Sequence, residues 1–218
     1  MVEAMIAVRR YLLLLLAFVA LPSCLCAHQL DEYLQATLVA IEPGEIRLEI
    51  NLTPGVAVAE RILALIDRDH DGVISTNEAR TYADLLKGDL LVRLDQGNVE
   101  LNLAAFNFPE PSELRSGWGI IQMELTVKTS GLTGGAHRLT LENRHLPAIS
   151  VYLVNATRPA SGLIQIVGQK RNKNQSTAEI AFDFHPPQSP SILIGIVATL
   201  TALSVVLFAG LCQARKQK

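Results

Sequence analysis

Asp67, Asp69 and Asp71 alternate along the chain, and Gly72, Val73, Ser75 and Glu78 follow them. Acidic side chains at every second position of a tight turn point inward, so they converge on one point. Such a point suits a hard divalent cation, which takes six to eight oxygens at about 2.3–2.6 Å. Asp67, Asp69 and Asp71 would each give a carboxylate oxygen, Val73 its backbone carbonyl, Ser75 a hydroxyl or a bound water, and Glu78 two oxygens. Gly72 falls where the turn needs positive φ, which a Cβ would penalise. The expected ion is Ca²⁺. Carboxylates held this close repel one another without a cation, so the loop is expected to be poorly ordered when empty. Arg68 and His70 occupy the intervening positions and should face solvent.

The flanks supply what such a loop needs. Residues 54–66 abandon the two-residue period and place Val58, Ile62, Leu65 and Ile66 on one helical face; residues 76–87 do the same with Ala79, Tyr82, Leu85 and Leu86. Gly88 is the expected helix stop. Helix, twelve-residue acidic loop and helix together resemble an EF-hand, with Asp67 first and Glu78 last in the loop. Ser75 and Glu78 also read as an S-x-x-E capping box for the second helix. The cap explains those two residues but not three alternating Asp before a Gly. With one hand in the chain, Ile74 has no sister loop and must pack on the rest of the fold, on a second copy or on another protein. An exported hand of this kind binds at about 10⁻⁴–10⁻³ M.

The surrounding sequence is strand-like. Ile46, Leu48, Ile50 and Leu52 alternate with Arg47, Glu49 and Asn51. Residues 34–40, 90–94, 99–106, 120–128, 137–142, 151–156, 163–169 and 178–184 are further strand candidates, separated by turn signals such as Pro43-Gly44 and Gln96-Gly97-Asn98. The fold class expected is mainly β (α+β): an antiparallel Ig-like β-sandwich with an EF-hand helix-loop-helix inserted at about 54–88, followed by one C-terminal transmembrane helix.

Both ends of the chain are apolar. Arg9 and Arg10 precede the apolar run 11–21, then Pro22 and small residues, so 1–27 reads as a signal peptide that leaves His28 first in the mature chain. Cys24 offers a lipidation site. Residues 192–212 carry no charge and reach about 30 Å as a helix, one bilayer core. The tail 213–218 holds Arg215, Lys216 and Lys218, which places it in the cytoplasm and residues 28–185 outside, with 186–191 as a Pro-rich linker. The expected location is a single-pass cell-membrane protein with its N-terminal domain extracytoplasmic, on the periplasmic side. Between the two apolar ends 20 acids face 14 bases, which excludes a general electrostatic nucleic-acid binder and suits a cation-binding exterior. Mean hydropathy of +0.27 excludes disorder. Cys24 and Cys26 lie in the signal and Cys212 at the membrane exit, where it could take palmitate, so the exported part has no disulfide.

A wider similarity covers about 28–184. The segments His28-Gln29-Leu30-Asp31-Glu32-Tyr33-Leu34-Gln35-Ala36-Thr37 and Glu142-Asn143-Arg144-His145-Leu146-Pro147-Ala148-Ile149-Ser150-Val151-Tyr152-Leu153-Val154-Asn155-Ala156 resemble the extracytoplasmic region of bacterial HupE/UreJ-type membrane proteins. That resemblance implies nickel or cobalt handling. Family members continue into several membrane helices, so a single span implies an accessory ectodomain, not a transporter. His28, with Asp31 and Glu32, is the candidate transition-metal end; His137, His145 and His185 lack paired metal spacing, and His145 is expected to hydrogen-bond beside Arg144 and Glu142. No G-x-S-x-G, H-E-x-x-H or phosphate loop occurs, so an enzyme is not expected. The expected function is a calcium-binding module anchored to the lipid bilayer, which uses the ordered hand for stability or to bind another membrane or extracytoplasmic protein. The alternative is an accessory subunit of a nickel/cobalt uptake system.

Overall fold

A computed structural model describes residues 31–129 and 131–187. The expected signal peptide 1–27, Cys24, His28, most of the expected linker 186–191, the apolar run 192–212, Cys212 and the tail 213–218 lie outside the described residues. No described helix is long and apolar enough to cross a membrane.

Strand β1 (Tyr33–Glu42) turns through Pro43-Gly44 into β2 (Glu45–Pro54). Helices α1 (Val56–Ile66) and α2 (Thr76–Gly88) follow, then β3 (Leu90–Leu94), β4 (Gly97–Asn98) and β5 (Asn102–Asn107). A short α3 (Pro111–Arg115) precedes β6 (Ile121–Lys128), β7 (Gly135–Asn143), β8 (Ser150–Ala156), β9 (Ile164–Arg171) and β10 (Thr177–Phe184). They form two five-stranded sheets, ordered β5-β6-β2-β1-β8 and β4-β3-β7-β10-β9. The chain is therefore mainly β.

Alternation builds the core. Ile46, Leu48, Ile50 and Leu52 of β2 are at most 1% exposed, while Arg47 and Glu49 between them face solvent. Ile121, Met123, Leu125 and Val127 of β6 repeat the pattern beside them, as do Ala178, Ile180 and Phe182 of β10 in the other sheet. Both sheets, α1 and α2 contribute to one continuous apolar cluster. Each fully buried Leu, Ile or Phe contributes about 1.5–3 kcal/mol.

Four local expectations are corrected. Not every pairing is antiparallel, because β8 runs parallel to β1, with Tyr33 opposite Ser150 and Leu38 opposite Asn155. β7 delivers the chain to the end of the sandwich where β1 begins, and the short 144–149 loop starts β8 there. Gly88 does not stop α2 in a left-handed turn; it is helical, and Asp89 caps the helix at φ −87°. Leu65 and Leu85 leave the buried helical faces, and Leu63 and Ala83 replace them, so each stripe is rotated about its helix axis while Val58, Ile62, Ile66, Ala79, Tyr82 and Leu86 stay on it. Residues 99–101 are not strand; β5 starts at Asn102, and α3 was not legible because Pro111 opens a helix of a single turn.

Arg171, at the end of β9, turns back onto β8. Its Nε donates to the Val154 carbonyl at 2.5 Å, and Gln169 Oε1 accepts the Ala156 N–H at 3.1 Å. Side chains of β9 thus occupy the free backbone groups of the β8 edge, one way a sheet avoids open-ended pairing.

Candidate metal centre

The acidic loop sits where α1 ends and α2 begins. Asp67 follows the last turn of α1, and its N–H is still bonded to the Leu63 carbonyl at 2.8 Å. His70 at φ +60° and Gly72 at φ +83° bend the loop; the first is a side chain in a region that L-residues avoid. Arg68 and His70 are exposed, as their positions predict. Val73 is 58% exposed, which a residue used through its carbonyl permits. Ile74 has found the first of its three expected partners, packing half-buried against the main core.

Asp67, Asp69 and Asp71 converge. One carboxylate oxygen from each lies within 4.8 Å of the other two. Asp67 is the buried member at 7% exposure. Its Oδ2 accepts the Gly72 N–H at 3.0 Å. Its Oδ1 is buried and has no hydrogen-bond partner. Asp69 Oδ1 accepts the Asp71 N–H at 3.2 Å and Asp71 Oδ1 the Val73 N–H at 2.8 Å, so backbone donors aim all three side chains. A buried carboxylate oxygen without a donor is costly unless a cation offsets it. The donor set is all oxygen, the chemistry of calcium or magnesium and not of nickel or cobalt.

Glu78 does not join that group in this arrangement. Its Oε1 accepts the Arg68 N–H at 2.8 Å, and its Oε2 accepts the Ser75 N–H at 3.0 Å and the Ser75 hydroxyl at 2.7 Å. Ser75 Oγ in turn accepts the Glu78 N–H at 3.3 Å, which completes the capping box of α2. One carboxylate therefore ties residue 68 to residue 75 and closes the loop. The Ser75 hydroxyl, then the Ser75 and Arg68 N–H groups, hold the Glu78 carboxyl at a pKa of about 2, against a smaller opposing effect of burial. The stabilisation is complete above the ordinary Glu range and is lost as pH falls through about 2. In calcium-free protein the ¹³C carboxyl signal of Glu78 should titrate near 2, and Ser75→Ala should move that midpoint upward. A midpoint near the ordinary value in the unsubstituted chain would remove the closed-loop geometry.

No protein-family model and no curated protein matches the chain.

Below the loop lies a polar chain that residue spacing did not reveal. Tyr82 is one helical turn after Glu78 on the buried face of α2. Its hydroxyl lies 3.0 Å from His145 Nε2 and 2.7 Å from the Tyr33 hydroxyl, and His145 Nδ1 lies 2.7 Å from Asp89 Oδ2. An ionised Asp89 fixes the order: Nδ1–H donates to Asp89, Tyr82 donates to Nε2, and Tyr33 donates to Tyr82. Burial lowers the His145 pKa despite the opposing Asp89, and burial raises both tyrosines. The His145 carbonyl accepts from Gln35 at 2.9 Å and from Tyr152 at 2.9 Å. The expected neighbours of His145 are displaced: Arg144 and Glu142 pair with each other on the surface at 2.7 and 3.0 Å. The one local signal was the aromatic at the fourth residue after Glu78.

Proposed function

We propose that this protein is a calcium-binding extracytoplasmic module held at the membrane by the single apolar span 192–212. Residues 54–88 are the EF-hand insertion in an Ig-like sandwich, and Ca²⁺ orders it for stability or for binding another protein. The observation that carries the reading is the buried Asp67 carboxylate, whose Oδ1 has no hydrogen-bond partner and which converges with the Asp69 and Asp71 carboxylates. Asp67, Asp69 and Asp71 would hold the ion, with the Val73 carbonyl, Ser75 and Glu78 completing the set.

The topology favours a partner in solution over lipid. The loop emerges from the end of the sandwich where Pro54 lies opposite Tyr33. β10 finishes at the other end, where Phe184 lies opposite Gly135 and Ile164. Glu42, at the far end of β1, accepts the Ala160 N–H at 2.6 Å and the Ser161 N–H at 3.1 Å, which aligns that end of the first sheet with the start of β9. Eight residues of strand separate the loop from the exit toward the span by about 25 Å. For the nickel/cobalt alternative, His145 and His137 have both ring nitrogens engaged by protein groups, and His28, its candidate ligand, lies outside the described residues.

Calorimetric titration of the full chain in nanodiscs tests the reading. Calcium should bind at one site with Kd of about 10⁻⁴–10⁻³ M, and Asp69→Ala should abolish the heat. No calcium heat together with tight nickel binding would transfer the function to the alternative.

A further inference from the structure

We propose that His137, as an imidazolium, is a pH-sensitive latch that fixes the turn before β7 and, through Gly134, the direction in which the chain leaves the sandwich. The ring lies at the exit end of the fold, away from the acidic loop. Its Nδ1 is 3.0 Å from Asp95 Oδ2 and its Nε2 is 2.7 Å from the Thr133 carbonyl oxygen. Both partners are acceptors. A neutral imidazole has one N–H and can satisfy only one of them, whereas the charged ring donates to both.

The surroundings are built for this state. Asp95 sits in the turn between β3 and β4 at φ +55°. Its Oδ1 accepts the Arg138 N–H at 2.9 Å, and its own N–H donates to the Arg138 carbonyl at 2.7 Å, so the carboxylate is fixed before it meets the ring. The ring packs on Phe182 with centroids 5.5 Å apart, and the His137 side chain is 8% exposed. The charged groups around it are Asp95 from the β3–β4 turn, Asp183 from β10 and Arg138 from β7, the last drawn away to Glu179 at 3.2 Å. Burial works against the charge, but the Asp95 hydrogen bond, the Thr133 carbonyl and the Asp95 and Asp183 charges outweigh it and raise the pKa.

Thr133 leads directly into Gly134, and Gly134 touches the exit. A Cβ on Gly134 would lie 2.8 Å from Pro186 Cδ and 3.1 Å from its Cγ, so only a glycine backbone lies flush against that proline. His185 N–H donates to the Leu163 carbonyl at 2.7 Å and holds the exit from the other side. Because the folded pKa is raised, the latch is closed at and below the ordinary histidine range and opens as pH rises through the raised value. When the ring keeps its Nδ1–H for Asp95, the bare Nε2 faces the Thr133 carbonyl and releases the turn.

The test uses the full chain in detergent micelles, labelled with ¹⁵N-histidine, between pH 6 and 9. His137 should show two protonated nitrogens at the low end of this range and lose one with a midpoint above the ordinary histidine value. Hydrogen exchange, corrected for its chemical pH dependence, should report a several-fold loss of protection in 131–137 and at His185 through the same midpoint. Asp95→Asn should lower the midpoint relative to the unsubstituted chain and move the loss of protection to lower pH with it. Gly134→Ala should leave the His137 midpoint in place and abolish only the coupled change at His185. A His137 midpoint at or below the ordinary histidine value, or protection that does not follow its titration, overturns the proposal.

Discussion

Replacing His145 with alanine should destabilise the protein by about 4 kcal/mol, far more than an exposed ion pair is worth. The loss has two parts. Removing a fully buried ring leaves a cavity among Tyr33, Tyr82 and the 144–149 loop. It also removes the His145 partner of the half-exposed Asp89 carboxylate at 2.7 Å and, at 3.0 Å, one of the two partners of the buried Tyr82 hydroxyl, which keeps Tyr33. A buried polar group left short of a partner costs about 1–3 kcal/mol. Tyr82→Phe keeps the volume and removes only the hydroxyl shared by His145 and Tyr33, so it should cost about 1–3 kcal/mol. Arg144→Ala breaks the exposed pair with Glu142 and should change stability by about 0.5 kcal/mol or less. Urea denaturation of the three variants gives the comparison, and equal effects for His145 and Arg144 would refute the inward network. The pH dependence has a definite sign. His145 has a lowered folded pKa, so its contribution is fully present above the ordinary histidine value and falls as pH drops. His137 has the opposite sign, with its contribution present at low pH and lost as pH rises.

What the sequence could show was what the chain encodes over short distances. The two-residue period of Ile46 to Leu52 states which side faces the core, and the structure buries that side. The spacing of Asp67, Asp69, Asp71 and Gly72 likewise needs only one turn of backbone, and their convergence follows. Helical period located α1 and α2 but misplaced Leu65 and Leu85, since a face is defined by what it packs against and not by its own hydropathy. The parallel β1–β8 pair and the inward turn of His145 depend on residues far apart: His145 meets Tyr82 at a separation of 63 and Gln35 at 110. No local pattern reports such meetings. Ser75 and Glu78 carried two messages at once, a helix cap and a cation ligand. The cap's bonds are made in this structure, and they use the same carboxylate oxygens that a cation would need.

That competition makes Asp67→Asn the sharpest probe of the metal centre. Without calcium the substitution should raise stability by about 1 kcal/mol, since it removes a buried carboxylate charge whose Oδ1 has no donor and which faces two more carboxylates. The amide oxygen can keep the bond from the Gly72 N–H now accepted at 3.0 Å, so the turn is retained. With calcium the order should reverse. At a calcium concentration ten- to a hundred-fold above Kd, the unsubstituted protein gains about 1.4–2.7 kcal/mol, and the variant, lacking the buried charged ligand, gains far less. The melting curves of the two proteins should therefore cross as calcium is added. Glu78→Gln should not cross: it loses cap strength in the absence of the ion and a ligand in its presence, so it should be less stable than the unsubstituted protein throughout. An Asp67→Asn protein that is less stable in chelator, or that responds to calcium as fully as its parent, would mean that the acidic turn serves the helix alone and holds no ion.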